Sequence, residues 1–172
     1  MKRRRERPAL SVLTLRIGSP PRGPARARLV GVLTAAARLA GAPAGAHVDV
    51  VWADDAEMKR LNKRHTGRGR VTDVLAFAED MLDPELGVKR LGEVVCNLDL
   101  ARRSAHANGN RYEAEAILYA THGVVHLLGG DDHTPAGRRS MRRIELAALA
   151  ERGLEVRGGE WENARVRTGG NT

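Results

Sequence analysis

Residues 121–135 read THGVVHLLGGDDHTP and place three of the six histidines of this 172-residue chain within twelve positions. His122 and His126 are four residues apart, so on a helix they lie on one face, separated by one turn of about 5–6 Å. Two imidazole nitrogens in that arrangement can point at one metal ion. If they do so, the fold must provide a helix that ends where these two side chains meet.

The glycines after this helix predict how the chain continues. Gly129 and Gly130 can adopt the positive φ that ends a helix and reverses the chain, which would return His133 as a third ligand. Three neutral imidazoles suit Zn²⁺ and leave a fourth coordination position open, as in catalytic zinc sites. Asp131 and Asp132 are then expected to accept the second ring N–H of a ligand. A histidine pair at this spacing is often an accident of a helix face, but the third histidine after the bend favours a metal site.

Hydrophobic periodicity predicts four strands and five helices. The strands are expected at 10–17, 47–52, 71–79 and 90–98, and the helices at 25–40, 54–66, 99–107, 111–128 and 136–152. This order predicts an α+β fold, in which a small mixed four-stranded sheet packs with about five helices and a zinc-hydrolase-like three-histidine site ends a central helix. Asp54 and Asp99 are expected to cap the second and third helices. Cys96 is the single cysteine and is expected in the core.

The length of the chain predicts one domain. We expect a metal-hydrolase-like domain at residues 10–152, a flexible basic arm at 1–9 and a flexible tail at 153–172. No segment approaches the ~18 apolar residues of a membrane span, and the basic start lacks the small-residue cleavage site of a signal peptide. We therefore expect a cytoplasmic protein that does not associate with membranes.

The formal net charge of +8 favours a polyanionic partner, above all a nucleic acid. Residues 59–70 contain six Lys or Arg and no acid, and a second basic cluster lies at 138–143. Because only 3% of the residues are aromatic, contact with RNA should be mainly electrostatic. The glycines at 67 and 69 are not flanked by a strand and a helix as in phosphate-binding loops, so no nucleotide cofactor is expected.

Three blocks of the sequence together resemble the bacterial YbeY family, rRNA maturation factors described as metal-dependent endoribonucleases. HGVVHLLGGDDH is similar to the family signature H-G-x-L-H-L-x-G-x-D-H, LNKRHTGRGRVTDVLAFA to L-N-x-x-[YH]…P-T-D-V-L-S-F, and LGEVVCNLDLA to a G-D-I-x-I strand with its following helix. Their order and spacing agree over about 48–149. The resemblance implies one Zn²⁺ per chain, rRNA and the small ribosomal subunit as partners, and single-strand-specific cleavage in small-subunit rRNA 3′ end processing and ribosome quality control.

Carried over to this chain, the family's zinc ligands fall on His122, His126 and His133. The family motif has one residue fewer before its third histidine, so an ungapped alignment places Asp132 at the third ligand, and Asp also binds Zn²⁺. We prefer His133, because the extra glycine can absorb one residue in the loop. Asp132 remains the alternative.

Two further departures concern activity. The family has an arginine thought important for activity where this chain has Thr66, and a proline where it has Val71. We take Arg64 and Arg68 as the catalytic arginines that replace the missing charge, with Arg70 as a further candidate.

Three functions are open at this point. The first is metal-dependent cleavage of RNA. The second is a non-catalytic, ribosome-associated maturation factor with a structural metal, which Thr66 favours. The third is a zinc peptidase-like hydrolase, but such enzymes normally carry H-E-x-x-H with the Glu as general base, and position 123 is glycine.

Overall fold

The computed structural model describes residues 10–85 and 87–158, and within them the elements follow the predicted order. The strands are β1 (Leu10–Ile17), β2 (Ala46–Ala53), β3 (Val74–Leu82) and β4 (Lys89–Asn97), and the helices are α1 (Arg26–Leu39), α2 (Asp55–Thr66), α3 (Leu98–Asn108), α4 (Tyr112–Leu127) and α5 (Pro135–Ala150). The predicted α+β fold is confirmed. The predicted arm at 1–9 and most of the predicted tail lie outside the described residues, and the domain limits stay predictions.

The sheet is mixed and has the strand order β1-β2-β4-β3. β2 runs parallel to both β1 and β4, and β3 is antiparallel to β4 at one edge. Because β3 and β4 are separated by a short turn, they pair as a hairpin, whereas the parallel pairs are joined through helices. Cys96 lies in β4 opposite Trp52 and Val74 and is buried, as predicted.

α4 is the central helix of the domain. It packs against β3 and β4 and is surrounded by α1, α3 and α5. Its sequence is apolar nearly all round, as expected for a helix enclosed on most sides, and Ile117, Ala120 and Val124 are fully buried. His122 and His126, near its C-terminal end, are half-buried. The fold therefore carries the two histidines to the edge of the core.

The helix caps match the prediction for α2 and correct it for α3. Asp54 accepts a hydrogen bond from Glu57 N–H at 2.9 Å and caps α2 as expected. α3 is capped by Asn97, which accepts from Leu100 N–H at 3.0 Å, and not by Asp99. The predicted cap was wrong because β4 runs directly into α3, so one residue both ends the strand and begins the helix. Asp99 instead accepts from Asp55 N–H at 3.1 Å.

Beyond α5 the chain packs back on the domain as far as residue 158. Leu154 is buried in the main core, and Asn110 donates to the Arg157 carbonyl at 2.7 Å and accepts from Arg157 N–H at 2.8 Å. In the described part of the chain, no helix is both long and apolar enough to cross a bilayer.

Candidate metal centre and cleft

A Schellman motif ends α4 and forms the predicted bend. Gly129 N–H donates to the His126 carbonyl at 3.0 Å, and Gly130 N–H donates to the Val125 carbonyl at 2.9 Å. Gly129 has a φ of +93°, which L side chains rarely adopt. At Gly130 a Cβ would lie 2.9 Å from the Val125 carbonyl oxygen, so this glycine is needed for close packing.

Both histidine rings of α4 are oriented through Nδ1. His126 Nδ1 lies 3.0 Å from the Gly130 carbonyl oxygen, which can only accept, so this nitrogen carries the proton. His122 Nδ1 lies 2.7 Å from Oε1 of Glu145, a carboxylate on α5 that is 3% exposed and accepts in the same way. In neutral rings the proton on Nδ1 leaves a lone pair on Nε2.

The two Nε2 atoms, of His122 and His126, lie 3.0 Å apart. Two lone pairs at this distance repel each other unless a proton or a metal cation lies between them. Oδ2 of Asp132 is 3.5 Å from His126 Nε2 and 4.0 Å from His122 Nε2. In a tetrahedral site with metal–ligand bonds of about 2.0–2.2 Å, neighbouring ligand atoms are roughly 3.3–3.6 Å apart. The three observed distances, 3.0, 3.5 and 4.0 Å, lie on both sides of this range. Side-chain shifts of about half an ångström would therefore let the three residues hold a small divalent cation.

The structure brings Asp132, and not His133, to the histidine pair. Among the described residues, ligand atoms of His122, His126 and Asp132 all lie within 4.8 Å of one another, whereas the exposed His133 is grouped with Asp131 and Asp132. Asp131 accepts from His133 N–H at 2.9 Å across the turn. This geometry favours Asp132, the third ligand that an ungapped alignment gives. The role of His133 as a ligand stays a prediction.

The surroundings of His122 are negatively charged. Burial by itself lowers the pKa of His122, but the hydrogen bond and the charge of Glu145 raise it, as do the charges of Asp73 and Asp132, and the pKa ends above its ordinary value. Because the same carboxylates attract any cation, the field at this point favours a metal ion as well as a proton.

A cleft of about 730 Å³ opens beside these ligands and runs along α4 between α3 and α5. His122 and Asp132 line it together with three arginines: Arg70, Arg138 and Arg142. Arg138 Nη1 donates to the Asp132 carbonyl at 2.8 Å. Arg142 Nη1 lies 3.5 Å from Oε2 of Glu145. The candidate centre therefore opens into a cavity with positive charge close to it.

A family model described as endoribonuclease YbeY matches residues 24–153, which is more than half of the chain. The chain belongs to the YbeY family. Proteins with the name endoribonuclease YbeY include one from Pelotomaculum thermopropionicum, 38% identical over 73% of this chain and 88% of the relative. Another, from an Anaeromyxobacter strain, is 35% identical over 83% of this chain and 73% of the relative.

Two further related proteins differ in how much of their own length this chain matches. A Myxococcus xanthus YbeY is 37% identical over 64% of this chain, and the matched part is only 38% of that longer relative. A Thermotoga maritima protein of known solution structure is similar over 94% of this chain and 99% of its own, with a TM-score of 0.53 and 20% identity. This last likeness shows the fold alone.

In this YbeY-family chain the predicted catalytic arginines lie away from the cleft lining. Arg64 and Arg68 are exposed, at the end of α2 and in the loop after it, and of the arginines in that segment only Arg70 lines the cleft. The positive charge near the candidate metal ligands comes instead from Arg138 and Arg142 of α5. The roles of Arg64 and Arg68 stay predictions.

Glu145 is the residue of this site that sequence reasoning missed. The carboxylates expected beside the histidines were Asp131 and Asp132, but Glu145 and the Gly130 carbonyl take those positions. Its spacing contained a signal, because positions 141, 145 and 149 follow one another every four residues on the inward face of α5. A charged residue inside such an apolar series is expected to have a buried partner.

Replacing Glu145 by Gln is expected to weaken metal binding by about 10-fold or more, the usual cost of disturbing a group that orients a metal-ligating histidine. The amide keeps the size of the side chain but removes the negative charge beside His122. Competition with a chromophoric chelator measures the affinity, and Glu155→Gln, at an exposed position, is the control. If the variant binds metal as tightly as the original chain but has a lower free energy of unfolding, Glu145 stabilises the fold and does not contribute to metal binding.

Gly123 is placed against the sheet, not toward the metal ligands. A Cβ at this position would lie 2.3 Å from Cγ1 of Val94 and 3.1 Å from Cγ2 of Val74. A glutamate here, as in the peptidase motif, has no room, so the general base of that motif cannot come from this position.

Gly123→Ala is therefore expected to lower the free energy of unfolding by up to about 2 kcal/mol, because overpacking costs about 1–3 kcal/mol and the gain in helix propensity returns only about 1 kcal/mol. Urea denaturation measures the change. Gly31→Ala in α1 is the matched control, since its Cβ would meet the flexible Arg152 side chain and should cost little. Equal effects at the two positions would contradict close packing of α4 on β4.

Proposed function

We propose that this protein is a metal-dependent endoribonuclease that cleaves single-stranded RNA, acts in small-subunit rRNA 3′ end processing and in ribosome quality control, and works in the cytoplasm. The observation that carries the proposal is the convergence of two imidazole Nε2 atoms and the Asp132 carboxylate at the mouth of a cleft lined by arginines. The membership of the YbeY family and the name endoribonuclease of its relatives support the same activity.

The cation we propose is Zn²⁺, one per chain, held by His122, His126 and Asp132. Two imidazoles and one carboxylate are a ligand set that zinc uses in hydrolytic sites, with a further position open. When bound, Zn²⁺ lowers the pKa of water and polarises a phosphoryl oxygen. Gly130 and Glu145 hold the Nδ1 protons, so that both Nε2 atoms stay available to the metal.

The arginines of the cleft bind and orient the phosphodiester. Arg70, Arg138 and Arg142 line the cavity beside His122 and Asp132. Guanidinium groups match phosphate oxygens in geometry and stabilise the negative charge that grows in the transition state. Basic residues outside the cleft, among them Arg64 and Arg68, extend the positive surface that attracts an RNA strand.

A peptidase fits the site less well, because Gly123 lacks the base and the space for it. A second candidate is a non-catalytic maturation factor of the small ribosomal subunit with a structural metal. Thr66 favours it, since this residue occupies the position of the family arginine and its hydroxyl donates to the Asn62 carbonyl at 2.8 Å, closing α2. It supplies no positive charge to a substrate.

The test is cleavage of end-labelled fragments of small-subunit rRNA by the purified chain, in single-stranded and duplex forms. We expect cuts in single-stranded RNA that a chelator abolishes and Zn²⁺ restores, with a rate at limiting substrate that falls linearly on a log–log plot against salt concentration. Metal-loaded protein that binds the RNA without cutting it would support the non-catalytic factor. Cleavage of peptides would support the zinc peptidase-like hydrolase.

A further inference from the structure

The cleft continues along α4 beyond the metal ligands, toward the N-terminus of the helix. From His122 to Glu115 the helix rises by about 10 Å at 1.5 Å per residue. One face of α4 and one face of α3 form this outer part of the cleft, and their residues recur every three or four positions: Glu115, Leu118 and Tyr119 on α4, and Leu100, Ser104 and Asn108 on α3. We refer to these six residues as the distal pocket.

The charge changes from one end of the cleft to the other. The three arginines that line the cleft belong to the loop before β3 and to α5, whereas the distal pocket contains no basic side chain among its six residues. Its one charged residue, Glu115, is 3% exposed and accepts from Asn110 Nδ2 at 2.7 Å. The arginines and a bound cation therefore attract a phosphate to the metal end, whereas Glu115 disfavours a phosphate in the distal pocket.

The distal pocket combines apolar walls with a few fixed polar groups. Leu100 and Leu118 are half-buried. The Tyr119 hydroxyl donates to Ser104 Oγ at 2.9 Å, and burial raises the pKa of Tyr119 to about 12, so the hydroxyl keeps its proton. Ser104 then has its own proton to donate. Asn108, also half-buried, donates one Nδ2–H to Glu115 Oε1 at 3.4 Å, and its amide has a second N–H to donate and an oxygen that accepts.

This composition matches a planar heterocycle with polar edges. Small-ligand sites have volumes of about 300–1,000 Å³. The whole cleft has about 730 Å³, and polar and apolar groups share its lining. Single-stranded RNA is recognised through unstacked bases that are sandwiched on their faces and hydrogen-bonded on their edges. A strand whose phosphate lies at the metal end would place its sugar and base toward α3.

We propose that the distal pocket binds the base of the nucleotide next to the scissile phosphate, with its faces against Leu100 and Leu118 and its edge toward Ser104 and Asn108. This base site gives cleavage a sequence preference at one position. The inference rests on the proposed function, because the phosphate it neighbours is the one that the metal end would hold.

The test measures binding separately from cleavage. The four nucleoside 5′-monophosphates and ribose 5-phosphate are titrated against the full chain by ligand-observed NMR. We expect at least one nucleotide to bind more tightly than ribose 5-phosphate by about 5-fold or more, and Ser104→Ala and Asn108→Ala each to remove most of that difference, as the loss of one hydrogen bond does. Binding of ribose 5-phosphate should not change. Ser140→Ala, at an exposed position of α5 outside the cleft, is the control.

Equal binding of the five ligands overturns the base site, and so does discrimination that survives both substitutions. Thermal melting shows whether each variant is folded. Because the two substitutions are made separately, the test remains valid if one of the variants misfolds. Cleavage of a random-sequence RNA pool is then measured. If the base is discriminated but no RNA is cut, the base site stands and the proposed endoribonuclease fails; a cleavage preference that neither substitution alters overturns the base site.

Discussion

Replacing His126 by alanine is expected to remove the metal and to lower cleavage of single-stranded RNA by at least about three orders of magnitude, because the proposed mechanism activates water through the cation. The substitution deletes one of the three ligand atoms that lie within 4.8 Å of one another. The fold should survive, since the bend after α4 is closed by backbone hydrogen bonds from Gly129 and Gly130. Metal content by elemental analysis and the rate at limiting substrate are the two measurements.

His106→Ala is the matched control for this experiment. His106 is an exposed histidine of α3 that lies outside the cleft lining, so its loss removes an imidazole without touching the site. We expect normal metal content and normal cleavage in this variant. Full activity of the His126 variant would separate the reaction from the candidate metal centre and refute the proposed mechanism.

The second large effect distinguishes the two candidates for the third ligand. Asp132→Asn is expected to weaken metal binding by more than about 100-fold, beyond the 10–100-fold that groups behind a ligand contribute. His133→Asn should change the affinity by no more than about 3-fold, because an exposed side chain outside the coordination shell contributes little. The reason is position: the Asp132 carboxylate is 3.5 Å from His126 Nε2, and His133 is grouped with the acids of the turn instead.

The reverse outcome would also be informative. If His133→Asn loses the metal and Asp132→Asn keeps it, the loop rearranges when the ion binds and restores the three-histidine set of the family motif. Extended X-ray absorption spectra of the loaded protein then count the imidazoles directly, with two expected for the Asp132 site and three for the His133 site.

The sequence predicted the elements and the histidine pair because these depend on short, regular spacings. The four-residue separation of His122 and His126 and the glycines after them define a helix face and its end, whatever surrounds them. The third ligand could not be read in the same way. A shift of one residue in a turn exchanges Asp132 for His133, and the backbone geometry that decides between them has no periodic signature.

Residues that act across elements were the hardest to predict. Glu145 lies in α5, 23 positions from the His122 ring that it orients, and only the packing of α5 on α4 brings the two together. The same packing places Arg138 and Arg142 at the cleft, whereas Arg64 and Arg68, chosen for their nearness to Thr66 in the sequence, lie on the surface. The Asn97 cap was missed because the sequence does not show that β4 and α3 are joined without a loop.

The two histidines are held in place by groups outside the turn that follows them. The Gly130 carbonyl fixes one ring before residues 131–134 begin, and Glu145 fixes the other after they end. Insertions or substitutions within those four residues can therefore change the third metal ligand from an oxygen to a nitrogen atom. The positions of the two histidine ligands would stay the same. Such a layout separates the fixed half of the candidate metal site from an adjustable half, and it offers protein engineers a short segment in which to change metal selectivity.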